Sequence, residues 1–541
     1  MHAALPPVIT QNWRVAKPAA RGRRGVVVTQ AAPAAEAGLA MLEAGGTAAD
    51  AAVAAAFALA AMEPWNSGLG GIGFAQVQAP GAAAETLDFG PVAPAGLDPA
   101  AFPLTGRDRQ ELFTWPEVEG DRNIHGPLSP VIPSAVAGYA LLHERHGRLP
   151  LREVLAPAVA LARRGLPADW FTTLKVAASA SLLRLYPESA RIYLPNGLPP
   201  TAPYSGTPGC FVLGRLPDTL ERLREAGLRD FYEGEVAAAM VADLREAGGV
   251  IGAADLAGCR ARVLPALTVD WRGRQVHLAN GLTAAPTLRR VLAATEAAPF
   301  DGEEPGPAWY AAAAVALREA YVERLGDAGP GDAGPGDAGS GDSGGDGREP
   351  ADGCTTHLSV VDAEGMAVAM TTTLLSSMGS RLVLPRSGVL LNNGVMWFDP
   401  RPGRPNSIAP GRRPLTNMCP VIASREGGAA AEIVCGASGG RRIMAAVFQM
   451  LAFVGGFGMD LERAAHHPRI DVSGPDRIGA DRRLPEPVLA ALREAGPVDV
   501  VEHGVLPINF ACPNLIRLAP DGGRVGISDV MSPWSAGLAQ A

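Results

Sequence analysis

The chain has 541 residues, 47 % of them hydrophobic and 19 % charged, which fits a globular protein with a large core. Its formal net charge is −8 and it has no sustained Lys/Arg cluster, which argues against nucleic acid as a partner. The six cysteines are widely spread, none in CxxC spacing, and the nine histidines are scattered, so reduced thiols, no metal ligands and no cofactor are expected.

Met1 to Thr29 carries charge and proline but no apolar run of useful length. No secretory signal is expected, and the location expected by default is cytoplasmic. Gly25 to Thr29 reads as a short strand. Ala32 to Glu43 reads as a helix stopped by Gly45-Gly46. Thr47 can cap the next helix, Ala48 to Met62, with Asp50 in its first turn. That helix is apolar but too short to span a bilayer, so no membrane association is expected.

Gly68, Gly70 and Gly73 match the spacing of a dinucleotide fingerprint. That motif follows a strand and opens a helix. Here it follows a helix and opens a strand, Phe74 to Gln78, which argues against a nucleotide site. The glycines fit better where backbone passes close to a ligand or a neighbouring strand. Ala84 to Phe89 reads as a second strand. Pro91 to Gly126 is Pro-rich and reads as loop. Pro133-Ser134 opens a helix, and Leu151 to Arg164 is amphipathic, with apolar positions at helical spacing. Residues 168 to 245 read as mostly helical, and Asp255 to Asp270 turns toward β character.

Gly326 to Asp352 is a low-complexity tract in which Gly326-Asp327-Ala328-Gly329-Pro330 recurs as Gly331 to Pro335. It has no apolar residue large enough to pack, and disorder is expected. Directly after it, Cys354 to Asp362 alternates like a strand. Ala363 to Met366 is a turn signal, and Ala367 to Leu374 is a second β-type run. The pair reads as a hairpin. With the turn at Glu364-Gly365, Thr356 falls opposite Thr373 and Thr355 lies beside it.

Hydroxyls thus gather where a floppy tract meets a rigid hairpin, which suits an N-terminal nucleophile. If the bond between Cys354 and Thr355 is cut, Thr355 carries a free α-amine and a hydroxyl. The amine has an ordinary pKa of about 7.7–8.0 and can take the proton of its own hydroxyl. Thr373 could orient that hydroxyl, and the preceding tract would let the new C-terminus move away. The competing explanation is a Thr-rich hairpin, since Thr packs well on a pleated surface. Spacing alone does not decide between them.

Farther on, Ser387 to Gly394 reads as a strand running into a turn, and Arg401 to Arg413 as a Pro/Arg/Gly loop. Val434 to Arg442 is a glycine turn followed by a helix, Ile443 to Phe457. Backbone N–H groups at such a turn can stabilise an oxyanion, although a plain strand-to-helix turn has the same signature.

Together these segments resemble the γ-glutamyltransferase family of N-terminal-nucleophile hydrolases, from about residue 25 to 535. The resemblance is carried by Glu36-Ala37-Gly38, Gly45 to Ala52, Ser67 to Gly71, Pro133 to Gly138, Thr355 to Asp362, Leu391-Asn392-Asn393 and Gly436 to Gly440. It implies an α+β fold, a four-layer αββα sandwich, cut before Thr355. It implies a large subunit, 1–354, and a small subunit, 355–541, that remain one folded unit, with oligomers of that unit possible. Thr355 matches the nucleophile, Thr373 the threonine that bonds it, and Gly439 and Gly440 the backbone oxyanion hole.

The headgroup positions depart from the family pattern. Members that grip a γ-glutamyl group have an arginine where this chain has Gly90 and an asparagine where it has Leu375. After Asn393 they have a glutamine and an aspartate where this chain has Gly394 and Trp397, and a Ser-Ser pair where it has Thr416-Asn417. An arginine fork pairs with a carboxylate, and glycine cannot replace it. The departures imply an amidohydrolase for a small-molecule amide with a different, more apolar acyl group, as in relatives resembling cephalosporin or glutaryl acylases or oxamate amidohydrolase. Arg381, Arg441 and Arg442 are candidates to meet a distal carboxylate. A true γ-glutamyltransferase or glutathione hydrolase with a rebuilt headgroup site is the alternative, and a non-catalytic binding protein with the same fold is a third.

Overall fold

In the computed structural model the described residues are 15–108, 115–327, 353–425, 430–474 and 476–541. The helix Pro307–Asp327 takes in the first two residues of the low-complexity tract, and residues 328–352 of that tract lie outside the described set. Two seven-stranded antiparallel sheets stack face to face. The first has the order Ala536–Gln540, Gly25–Thr29, Gly353–Val361, Ala367–Ser376, Ile72–Gln78, Glu85–Phe89, Arg262–Pro265. The second has the order Ala20–Gly22, Arg524–Ser528, Cys512–Leu518, Ala431–Ser438, Val421–Arg425, Arg274–Leu278, Leu267–Trp271. Small and β-branched residues fill the space between them, among them Val26, Val28, Ala369, Ile422, Val434 and Ile516.

Helices cover both outer faces, which completes four layers, αββα. On the first sheet lie Ala32–Glu43 and Ala48–Met62. Thr47 and Asp50 form a reciprocal capping box, and every residue of Ala48–Met62 is buried. An Ala-rich helix that is apolar all round can be enclosed on every side, because alanine lets neighbours approach. On the second sheet lie Ala285–Ala294, Pro307–Asp327 and Ile443–Leu451. No described helix is long and apolar enough to cross a membrane.

Several local expectations change. Thr356 pairs with Thr372 rather than Thr373, and the register shifts between Cys354 and Thr356. The turn is centred on Glu364, with Val361 opposite Ala367, and the extra residue that restores the expected pairing at Cys354 lies in the second strand, where Thr373 and Leu374 together face Thr355. Within Pro91 to Gly126 the strands Leu104–Asp108 and Pro116–Val118 pair. Leu151 to Arg164 is two helices, Leu151–Val154 and Ala156–Arg164, with Pro157 in the first turn of the second. Ala253–Gly258 is a short helix before the β segment begins. Ser387 to Gly394 contributes isolated bridges at Leu390 and Leu391 rather than a strand. The helix from Ile443 ends at Leu451 and continues as a π turn, Ala452–Gly456.

Candidate active site

Thr355 sits opposite the bulge of the central hairpin, where Thr373 and Leu374 of the second strand face this one residue. Cys354 pairs with Leu375 on one side of it and Thr356 with Thr372 on the other. A bulge re-aims a side chain, and here it brings two hydroxyls together. Thr355 Oγ1 donates to Thr373 Oγ1 at 3.2 Å. Thr373 Oγ1 donates to the carbonyl oxygen of Cys354 at 2.5 Å and accepts the Leu375 N–H at 2.8 Å. One hydroxyl therefore uses its single proton on the Cys354 carbonyl and both lone pairs on Thr355 and Leu375. All three residues are buried, and Leu375 has φ 87°, a left-handed conformation that costs energy for a branched side chain. The strain lies two residues from the hydroxyl it helps to hold.

His357 plays no part in this arrangement. It lies between the sheets, its Nδ1 2.8 Å from Thr371 Oγ1 and its Nε2 3.1 Å from Ser359 Oγ. Burial pushes its pKa down to about 3, so it is a neutral core residue.

A cavity of about 40 Å³ flanks the Cys354–Thr355 peptide. Gly439 lines it and has φ 133°, followed by Gly440 at φ 60°, a backbone turn of the kind that forms anion-binding concavities. Its other polar walls include Gln30, Glu63, Lys175 and His503, none of which stood out in the sequence. Glu63 is the C-cap of Ala48–Met62 and accepts the Thr356 hydroxyl at 2.8 Å. Burial raises its carboxyl to about 7, against the opposing pull of Thr356, Lys175 and Asn66. An acid standing alone at the end of an Ala-rich segment was the signal available for it. His503 Nε2 is 3.2 Å from Arg469 Nη2 and 3.4 Å from Asp529 Oδ1.

The expected substrate-binding residues do not line this cavity. Leu375, Met396 and Trp397 join Ile72 and Phe74 in a separate apolar cluster. A Cβ on Gly90 would lie 2.5 Å from Phe74 Cζ and 3.1 Å from Arg413 Nη2, so Phe74 occupies the space an arginine at 90 would need. Gly394 is closed off in the same way, by Val131 Cγ2 at 2.5 Å. Asn393 is saturated internally: Nδ2 donates to Ile124 O and Ser376 Oγ, both at 2.7 Å, and Oδ1 accepts the Ser376 N–H at 3.2 Å. Thr416 donates to Leu282 O at 2.9 Å, and Asn417 Oδ1 accepts Arg324 Nη2 at 3.3 Å. Arg381 is buried, donating to Ser376 Oγ at 2.7 Å and Gly379 O at 2.5 Å.

The model of the family described as Gamma-glutamyltranspeptidase matches residues 34–333 and 337–532. The chain is 28 % identical to a glutathione hydrolase proenzyme of Escherichia coli, over 98 % of this chain and 95 % of that one. It is 29 % identical to the acylase ACY 1 proenzyme of a Pseudomonas species, over 97 % and 95 %. In fold it is similar to a cephalosporin acylase from Bacillus halodurans, with a TM-score of 0.82 and 21 % identity over the whole of both chains. With the family model matched over most of its length, the chain belongs to the gamma-glutamyltranspeptidase family.

Proposed function

We propose that this chain is a proenzyme that cuts itself between Cys354 and Thr355 and then acts as an N-terminal threonine amide hydrolase on an acyl group other than γ-glutamyl. The observation that carries it is the hydroxyl relay from Thr355 through Thr373 to the Cys354 carbonyl. A buried hydroxyl already donates to the carbonyl that Thr355 must attack, which stabilises charge on that oxygen as it develops. Cleavage gives subunits of residues 1–354 and 355–541, and frees the Thr355 amine to serve as base. In turnover Thr355 Oγ1 attacks an amide carbonyl and the N–H groups of Gly439 and Gly440 hold the oxyanion. The amine leaves, and water resolves the ester.

The acyl preference is supported by packing. Phe74 and Val131 fill the positions beside Gly90 and Gly394, and Leu375 and Trp397 lie in an apolar cluster. Without an arginine at 90 and an aspartate at 397 an α-amino acid headgroup lacks those two partners, and Arg413, whose guanidinium lies beside Gly90, is paired with Asp88. The relatives named as acylase and as glutathione hydrolase are about equally similar, so the glutathione hydrolase alternative is tested directly. Purified protein is assayed with glutaryl p-nitroanilide and γ-glutamyl p-nitroanilide. Faster release from the glutaryl compound, abolished by Thr355→Ala, is expected. Preference for the γ-glutamyl compound would assign the chain to the alternative.

A further inference from the structure

The cavity beside the Cys354–Thr355 peptide has a size that limits what it can hold. At about 40 Å³ it admits water molecules, which need roughly 10–15 Å³ each, but no ligand of drug size, which needs about 300 Å³ or more. Its walls carry Glu63, Lys175 and His503 as well as both residues of the peptide. Self-cleavage needs one water after the acyl shift, and this is where the structure has room for it.

We propose that Glu63 is the general base that activates this water, so that it hydrolyses the ester formed on Thr355 during self-cleavage. The inference rests on Thr355 being the nucleophile. In the first step Thr355 Oγ1 bonds to the Cys354 carbonyl carbon and the C–N bond breaks. The hydroxyl proton passes to the departing amine. In the second step water attacks the same carbon and gives its proton to Glu63. The C–Oγ bond breaks, Thr355 Oγ1 takes a proton back, and Cys354 ends as a carboxylate.

Geometry fixes Glu63 for this task. Its carboxylate holds the Thr356 hydroxyl, one residue from the ester, so it cannot drift from the reacting carbon. It is 3 % exposed, and Lys175 is the cation that bears on it electrostatically. The groups around it are Lys175 from the helix Trp170–Ala177, Asn66, Thr356, and His503 and Cys512 across the cavity. The C-terminal dipole of Ala48–Met62, which ends at Glu63, disfavours the charged carboxylate and so makes it a stronger proton acceptor. Burial acts in the same direction and raises its pKa to about 7, where an acid–base group is half protonated near neutral pH.

The test uses the full chain and needs no substrate. Wild type, Glu63→Gln and Thr356→Val are followed by intact mass, with melting curves to verify folding. Glu63→Gln keeps an acceptor for Thr356 but cannot take a proton. It is expected to slow cleavage by roughly 10²-fold. Added neutral hydroxylamine is expected to restore cutting, leaving a hydroxamate on Cys354, because the ester still forms and is trapped. Thr356→Val, which frees the carboxylate from its anchor, is expected to show a smaller slowing with the same hydroxylamine product. Glu63→Gln cut at the wild-type rate would overturn the proposal and leave His503 as the other base in the cavity. A folded Glu63→Gln chain that resists hydroxylamine would overturn it too, because the block would then precede the ester. A wild-type chain that stays whole, with or without hydroxylamine, would instead remove the nucleophile reading on which the proposal rests.

Discussion

Two buried ionisable residues titrate in opposite senses, and each leaves a mark on stability. Glu63 is raised from an ordinary 4.5 to about 7 by burial. The folded chain therefore keeps a proton that the unfolded chain releases between those values. Stability from this group is present below pH 4.5 and is lost as pH rises through 7. In an uncut Thr355→Ala background, Glu63→Gln is expected to raise the melting temperature more at pH 8 than at pH 5. An equal shift at both would mean that Glu63 is not raised. His357 runs the other way: lowered to about 3 by burial, it costs stability as pH falls below its ordinary 6.5. Residue types were legible where the chain signals them, as with Thr355, Thr373 and the glycines. Glu63, Lys175 and His503 were not, because three positions far apart in the chain meet only when helix, loop and hairpin close on one cavity.

At the scale of elements, the decisive feature is the bulge in the hairpin Gly353–Val361 and Ala367–Ser376. Alternation in the sequence places both strands and their turn, where Asp362 Oδ1 accepts the N–H groups of Glu364, Gly365 and Met366 at 3.0 Å each. It does not place an extra residue, since one insertion leaves the apolar pattern on either side intact. The sequence-derived pairing is therefore right at Cys354, opposite Leu375, and off by one from Thr356 to the turn, which is centred on Glu364 rather than between Glu364 and Gly365. The bulge has a direct consequence for Thr373, whose hydroxyl joins Thr355, Cys354 and Leu375. Thr373→Val keeps the β-branched shape and removes the donor to the Cys354 carbonyl. Self-cleavage is expected to slow by roughly 10²–10³-fold, read as the fraction of intact chain against time. Cleavage at the wild-type rate would show that the contact is structural only. Helix ends were more legible than loops: Gly45-Gly46 and the Thr47–Asp50 box signal in the sequence where one helix stops and the next begins. The pairing inside Pro91 to Gly126 had no such signal.

Over the whole molecule, the sheets interleave strands from the N-terminal side of Thr355 with strands from its C-terminal side. In the first sheet Gly353–Val361 lies between Gly25–Thr29 and Ala367–Ser376, and Ala367–Ser376 pairs in turn with Ile72–Gln78. In the second, Val421–Arg425 pairs with Arg274–Leu278. A cut between Cys354 and Thr355 would leave these ladders and the cores on both sheets in place, so the two pieces are expected to remain one folded unit. This four-layer arrangement was legible in the sequence only through the family motifs, because strand order depends on pairings hundreds of residues apart. The most direct test is the mass of the purified wild type beside Thr355→Ala, measured first under native elution and then denatured. The account predicts one native species that denatures to two fragments meeting at Cys354 and Thr355, and an uncut chain of 55.8 kDa in the variant. A single uncut chain in both samples, or a cut elsewhere in the wild type, would contradict it.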